Sequence, residues 1–73
     1  MLKAPLVGNV YLAPGPGKPP FVAPGTAVKK GQTLCIIEAM KVMNEFPAPR
    51  DGVVAVVHVK NEQLVEYGQP LFT

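Results

Sequence analysis

The sequence has few of the residues from which catalytic and metal sites are built. Its 73 residues include one cysteine, Cys35, and one histidine, His58, so an internal disulfide is excluded and no metal-ligand spacing is present. Cys35 lies among leucine and isoleucine residues, where a free cysteine behaves as a small hydrophobic core residue. His58 lies between two valines and is predicted to face solvent. A cysteine–histidine nucleophile pair is therefore not predicted, and no other catalytic constellation or phosphate-binding loop is recognisable.

Charge, aromatic residues and long apolar runs are also scarce. Charged residues make up 16% of the chain, the net charge is +2, and Lys29-Lys30 is the only adjacent pair of bases. A nucleic-acid-binding surface needs a basic stripe with aromatic residues between the charges, so no nucleic-acid partner is predicted. No apolar run approaches the roughly 20 residues of a membrane span, and no signal peptide is recognisable. We therefore expect no membrane association and a soluble, reducing compartment.

Proline, glycine and apolar residues are abundant. The 9 prolines and 7 glycines interrupt the chain too often for a helical bundle, and 48% apolar residues suit a globular protein. Residues 1–73 are expected to form a single all-β domain near the lower size limit for independent folding. The β-branched run at 53–59, bounded by turn residues, predicts a strand, with residues 10–12 as its counterpart. Predicted core residues include Leu34, Ile36, Val54, Val56 and Leu71.

The chain contains an internal repeat. Residues 4–10 recur as residues 48–54 at an offset of 44, and residues 28–34 recur as residues 65–71 at an offset of 37. The offsets differ by seven, which is the length of the proline- and glycine-rich stretch at 14–20. Chance identity of glycine and proline is the alternative, but the two blocks keep a consistent register. Two equal all-β halves predict a shared core in a small sandwich or flattened barrel, with residues 14–20 as an insertion in the first half.

The segment Glu38-Ala39-Met40-Lys41 is ambiguous by local criteria. All four residues are good helix formers, so residues 34–46 are compatible with one amphipathic helix. Neither Met40 nor Lys41 is the glycine or asparagine that a tight primed hairpin turn prefers. When the repeat offsets are applied to this segment, however, the matching positions fall beyond the ends of the chain. The segment therefore occupies, in one half, the place that the free termini occupy in the other half. We therefore expect this segment to be a connection between the two halves at the edge of the molecule.

The sequence around Lys41 resembles the biotin-attachment sequence of biotin carboxyl carrier proteins, in which the lysine after Ala-Met is modified. Residues 5–8, 31–37 and 65–72 also resemble the carrier subunit of multi-subunit acetyl-CoA carboxylase, so the resemblance extends from Ala4 to Phe72. It implies a flattened barrel of two four-stranded antiparallel sheets related by a pseudo-two-fold axis. It also implies that residues 34–46 form a β-hairpin with Lys41 at its exposed tip, and we follow the repeat and the resemblance over local helix propensity. It further implies that residues 14–20 are the thumb, a loop that reaches toward the biotin. The chain is expected to be the C-terminal biotinyl domain of such a carrier.

The resemblance implies that biotin protein ligase joins biotin to Lys41 through an amide. Glu38, Ala39 and Met40 are then candidate ligase-recognition residues. The alternative for Ala39 and Met40 is simple hairpin filling, and for Glu38 a solubilising charge at a strand end. Biotin carboxylase is expected to carboxylate the attached biotin, and carboxyltransferase to pass the carboxyl group to acetyl-CoA, giving malonyl-CoA for fatty acid synthesis. The chain is thus expected to be a non-catalytic carrier in the bacterial cytoplasm or the plastid stroma.

The thumb departs from the family pattern, because Gly15, Gly17 and Lys18 stand between prolines where hydroxyl and acidic side chains are common. We expect any contact with biotin to use the backbone amides of Gly15 or Gly17, and a surface loop without a ligand remains the alternative. Three other functions stay open at this point. They are the biotinyl domain of another biotin-dependent carboxylase or decarboxylase, a lipoyl carrier domain, and a non-carrier barrel in which Lys41 is unmodified.

Overall fold

The computed structural model describes all 73 residues and contains eight short β-strands and no α-helix, so the all-β prediction is confirmed. The strands are β1 (Leu2–Lys3), β2 (Gly8–Tyr11), β3 (Ala27–Val28), β4 (Thr33–Ala39), β5 (Val42–Pro47), β6 (Gly52–Val53), β7 (Gln63–Val65) and β8 (Pro70–Phe72). No helix is present that has the length and apolarity to cross a lipid bilayer.

The strands form two antiparallel layers. One layer is a continuous four-stranded sheet in the order β5-β4-β2-β7. The other consists of two strand pairs, β1 with β8 and β3 with β6. Backbone hydrogen bonds between the chain that follows β6 and the chain around β8 join these pairs, with Ala55 N to Thr73 O at 2.6 Å and His58 N to Leu71 O at 2.8 Å. The second layer is therefore a four-stranded sheet with an irregular centre.

The sequence repeat is present in the hydrogen bonding of the two layers. The pairing of β3 with β6 corresponds to that of β7 with β2, and the pairing of β8 with β1 corresponds to that of β4 with β5. Gly31 N donates to Ala48 O at 2.8 Å, and at the repeat-related positions Gly68 N donates to Ala4 O at 2.9 Å. Both glycines have positive φ, 89° and 82°. These strand pairings and hydrogen bonds thus follow the predicted pseudo-two-fold relation.

The core lies between the layers and consists of 13 buried apolar residues. Repeat-related positions are buried together, as with Leu34 and Leu71, which confirms both as core residues. Phe46 of β5 and Phe72 of β8 stack across the two layers, with ring centroids 6.4 Å apart. The full buried set is Ala4, Val10, Val22, Val28, Leu34, Cys35, Ile37, Ala48, Val54, Val59, Val65, Leu71 and Phe72.

Two core predictions fail because the strands are irregular. The run at 53–59 is not one strand, since only Gly52–Val53 and an isolated bridge at Val57 are paired. The N–H groups of Ala55 and Val56 both point to Thr73 O, at 2.6 and 3.4 Å, as in a β-bulge. The alternation of faces is therefore broken, and Val56 is 44% exposed although Val54 is buried.

The prediction that Ile36 is a core residue is the second that is wrong. The register of β4 against β5 shifts between Thr33 and Cys35, so Leu34 and Cys35 are both buried although they are adjacent. Ile36 then faces outward and is only partly buried, and Ile37 takes the core position. A period-two pattern cannot reveal such a shift, because adjacent residues normally lie on opposite faces of a strand.

Candidate functional site

The tip of the β4–β5 hairpin is a two-residue turn formed by Met40 and Lys41. Ala39 and Val42 are the last paired residues of the two strands. Both central residues have positive φ, 52° for Met40 and 65° for Lys41. Positive φ at both positions is the property of a type I′ turn, whose twist matches that of an antiparallel hairpin. The helix that local propensity allowed is absent, and Lys41 is exposed at the end of the longest hairpin.

This turn is held in a conformation that its residues disfavour. A residue other than glycine in the left-handed region costs about 1–3 kcal/mol when it is not compensated. The paired strands on either side compensate it here, and Asn44 adds a side-chain clamp. Its amide Nδ2 donates to Ile37 O at 3.3 Å and to Val42 O at 3.2 Å. The tip is thereby presented in a fixed shape, with the Met40 side chain 95% exposed.

Glu38 lies two residues before the turn on the outer face of the four-stranded sheet. Its carboxylate Oε1 accepts a hydrogen bond from the Tyr11 hydroxyl of β2 at 3.0 Å. This hydrogen bond, together with the negative charge of Glu38, raises the pKa of Tyr11. Glu38 therefore has a defined partner and is more than a free strand-end charge. Its predicted contact with a ligase remains a prediction, as do the contacts of Ala39 and Met40.

The insertion at 14–20 forms a compact loop beside the hairpin. It is closed at its base by a hydrogen bond from Phe21 N to Leu12 O at 2.8 Å. At its tip Lys18 N donates to Gly15 O at 3.1 Å, so residues 15–18 form a β-turn. Proline at the second position and Gly17 at the third, with φ of 72°, are the features of a type II turn.

A groove of about 450 Å³ lies between this thumb and the outer face of the sheet. Residues 13–16 form its thumb side, and the Asn61-Glu62 turn forms its end. Asn61 also ties the two sides together, because its Oδ1 accepts a hydrogen bond from Leu12 N at 2.8 Å. Gly15 lines the groove and Gly17 does not. The sheet side of the groove is formed by Tyr11, Ile36, Glu38 and Met43.

Sequence reasoning did not identify the groove residues Tyr11, Asn61 and Glu62. One signal was present in the repeat. Glu62 corresponds to Gly25 at the offset of 37, and both positions have positive φ, 65° for Glu62 and 94° for Gly25. A glutamate in a conformation that the other half assigns to glycine is strained, and such strain is concentrated at functional sites.

The other cavities lie away from the hairpin tip, and no metal site is present. A cavity of about 270 Å³ lies beside Met1 and Thr73 and reaches the base of the β4–β5 hairpin at Leu34 but not its tip. A third cavity, of about 560 Å³, is lined by residues 3–5 and 67–68 and also lies away from the tip. No group of three or more histidine, cysteine, aspartate or glutamate side chains is arranged to hold a metal ion. The hairpin tip and the thumb groove are therefore the candidate functional site.

Comparison with known proteins agrees with this geometry. The family described as "Biotin-requiring enzyme" matches residues 1–73. The chain belongs to this family. Among individual relatives, it is 63% identical over 71 residues to the biotin carboxyl carrier protein of acetyl-CoA carboxylase from Streptococcus pyogenes, covering 97% of this chain and 43% of that protein. It is 47% identical over 73 residues to the protein of the same name from Pseudomonas aeruginosa, covering 100% of this chain and 47% of that protein.

A plant relative extends the comparison to plastids. The chloroplastic biotin carboxyl carrier protein of acetyl-CoA carboxylase 2 from Arabidopsis thaliana is 48% identical over 71 residues, covering 97% of this chain and 28% of that protein. The chain thus spans less than half the length of these curated relatives. The family resemblance drawn from the sequence is confirmed, and so is biotin as the cofactor of the family.

Proposed function

We propose that this chain is a biotin carrier domain of acetyl-CoA carboxylase, with residues 1–73 acting as one domain and biotin attached to Nζ of Lys41. The observation that supports this most directly is the position of Lys41. It lies exposed at a fixed two-residue tip, within a chain that belongs to a biotin-requiring family. The relatives named as acetyl-CoA carboxylase carriers in bacteria and chloroplasts support the choice of carboxylase over other biotin-dependent enzymes.

Attachment requires an enzyme because the lysine side chain carries an ammonium group, which is not a nucleophile. A biotin protein ligase removes the proton and presents biotin as biotinyl-adenylate. The new amide joins the biotin carboxyl carbon to Nζ of Lys41 as the bond from that carbon to the phosphate oxygen breaks and AMP leaves. We assign recognition by the ligase to Glu38, Ala39 and Met40. The exposed apolar side chain of Met40 supports this, because exposure of large apolar side chains often marks contact surfaces.

The thumb groove suits the ring of biotin when the flexible arm, which is the Lys41 side chain together with the side chain of biotin, folds back from the hairpin tip. Met43 stands opposite Glu38 in the hairpin and lines the groove, so the groove begins two residues from Lys41. Ile36 and Met43 supply apolar contact surface. The amide of Gly15 has no backbone acceptor within the chain, so it is free to donate to the ring carbonyl. Gly17, outside the groove, is the less suitable of the two glycines.

In this function the chain carries biotin, and the partner enzymes catalyse the reactions. The ureido ring of biotin supplies the nitrogen that bears the carboxyl group. Biotin carboxylase and carboxyltransferase act on that ring in turn, yielding malonyl-CoA from acetyl-CoA for fatty acid synthesis. Tethering through Lys41 raises the local concentration of the carried group at both enzymes. The bacterial and chloroplastic relatives support a location in the bacterial cytoplasm or plastid stroma.

Intact-mass measurement after co-expression with a biotin protein ligase tests the attachment. We expect one biotin per chain in the wild type and none in Lys41→Arg, because the guanidinium keeps its proton and is not a usable nucleophile. Lys18→Arg, a matched change on the thumb, should still gain one biotin. A mass increase corresponding to lipoate, or biotin remaining on Lys41→Arg, would contradict the proposal.

A further inference from the structure

The thumb groove is acidic. Its only charged lining residues are Glu38 and Glu62, and no lysine or arginine lines it. Lys18 and Lys41, the nearest bases in sequence to the thumb tip and the hairpin tip, both lie outside the lining. The groove therefore contains negative charge that no cation in its wall neutralises.

The two carboxylates affect the same group, the Tyr11 hydroxyl on the sheet side of the groove. Glu38 accepts the hydrogen bond of the Tyr11 hydroxyl, and the charge of Glu62 also contributes to the raised pKa of Tyr11. Both acids line the same groove as Tyr11. Glu62 is kept there by its backbone, since its N–H donates to Val10 O at 2.6 Å and holds the residue at positive φ.

The side chains around the groove offer acceptors and few free donors. The Tyr11 hydroxyl already donates to Glu38, so the side-chain donor left in the lining is the neutral amide Nδ2 of Asn61, whose Oδ1 accepts from Leu12 N. An ionised carboxylate accepts hydrogen bonds only. A neutral ring with N–H donors satisfies such a surface, whereas an anion is repelled by it.

We propose that the groove distinguishes the two charge states of the carried ring, holding it when it is empty and releasing it when it bears a carboxyl group. This inference rests on the proposed function. The empty ureido ring is neutral and presents N–H donors to Glu38 and Glu62. Carboxylation uses bicarbonate as the carboxyl donor and ATP as the activating agent, and ADP, phosphate and the displaced proton leave. It replaces the hydrogen on one ureido nitrogen by a carboxylate, so the ring loses a donor and gains a negative charge. The loaded ring is thereby freed to enter a partner enzyme.

NMR of the biotinylated, ¹⁵N-labelled domain tests this inference. The amide chemical shifts of Gly15 and Ile36 are compared between the unmodified and biotinylated chains. They report the docked fraction, which is the fraction of chains whose biotin ring lies in the groove. The sample is then carboxylated with biotin carboxylase, ATP and bicarbonate. We expect the docked fraction to fall about tenfold, as repulsion between like charges a few ångströms apart at a partly solvated surface requires. Raising the salt concentration to about 1 M should reduce that fall, because exposed charges are screened.

Glu62→Gln removes one groove charge, and in this variant the fall should be several-fold smaller. Glu45→Gln is the matched control, because Glu45 lies on the same face but outside the groove and its Oε1 accepts a hydrogen bond from Thr33 at 2.7 Å, which glutamine can retain. It should behave as the wild type does. Equal docking of both charge states, no docking of either, or equal effects of the two variants would overturn the inference. Absence of biotin on Lys41 in the intact mass would instead overturn the proposed function, and this inference with it.

Discussion

Gly8 begins β2 at a point where this strand passes close to the hairpin strand β4. A methyl group at this position would collide with the Glu38 carbonyl and lie 2.9 Å from Cγ2 of Ile37. Gly52 is its repeat-related partner, and a methyl group there would have no atom within 4 Å and no positive φ to strain it. The two glycines are equivalent in the repeat, but only Gly8 is required by packing.

Gly8→Ala should therefore destabilise the domain by about 1–3 kcal/mol, the usual cost of overpacking a filled site. Gly52→Ala should change the free energy of unfolding by no more than about 0.5 kcal/mol. Urea denaturation of both variants measures the difference. Equal losses in the two would show that glycine is needed at both positions for its backbone and not for its size.

Cys35 makes stability depend on pH in the alkaline range. Burial raises the pKa of its thiol from 9.0 to about 12. Below pH 9 the thiol is protonated in both states, and its contribution to stability is fully present. Above pH 9 the unfolded chain loses the proton while the folded chain keeps it, so stability falls as the pH rises toward 12.

We expect the midpoint of urea denaturation to decline more steeply between pH 8 and pH 10.5 in the wild type than in Cys35→Ala. Other groups that titrate in this range are common to both proteins, so the difference in slope isolates Cys35. Parallel slopes would mean that the thiol is accessible to water in the folded state.

The β4–β5 hairpin shows which features of the site could be predicted from the sequence. Local propensity favoured a helix across Glu38 and Lys41, since the turn contains neither glycine nor asparagine. The correct prediction came from the repeat, which matched this segment with the free chain ends, and from the resemblance to biotin carriers. No local sequence pattern could predict how the strained turn is stabilised, because the stabilisation comes from the pairing of β4 with β5.

The irregular strands mark where prediction from the sequence ended. The bulge at Ala55-Val56 depends on a carbonyl at the end of β8, and the register shift before Cys35 depends on β5. Both arise from contacts between distant parts of the chain, so the alternation of residues alone could not predict them. The same holds for the thumb groove, whose end is formed by the Asn61-Glu62 turn, distant in sequence from the thumb.

The register shift in β4 leads to a paired stability prediction for neighbouring residues. Ile37 is buried in the core, and Ile37→Ala should reduce the free energy of unfolding by about 2–5 kcal/mol. Ile36 faces the groove and is partly exposed, so Ile36→Ala should cost only about 1 kcal/mol. Chemical denaturation in urea separates the two. A larger loss for Ile36→Ala would mean that the register of β4 is displaced by one residue.

The two-fold arrangement gives the domain one closed core and two unlike ends. At one end β4 and β5 run on into the hairpin that carries Lys41, and at the related place in the other half β8 and β1 pair without a hairpin turn between them. The second half completes its layer without any counterpart of residues 14–20. The thumb is thus an addition beside the hairpin, and we expect the shared core not to depend on it.

Deletion of residues 14–20 should therefore leave the fold and the biotinylation of Lys41 intact. The connection that remains, Leu12-Ala13-Phe21-Val22, corresponds to residues 56–59, which the other half already accommodates. The bond from Phe21 N to Leu12 O is lost, which costs about 1 kcal/mol, while the shorter loop recovers at most ~0.6 kcal/mol per halving of its length. Thermal unfolding should change little, and intact mass should still show one biotin. Carboxyl transfer with the partner enzymes should slow, because the ring then lacks one wall of the groove proposed to hold it. An unfolded deletion variant would show that the thumb stabilises the core, whereas unchanged transfer in a folded variant would show that the groove has no part in carrying the carboxyl group.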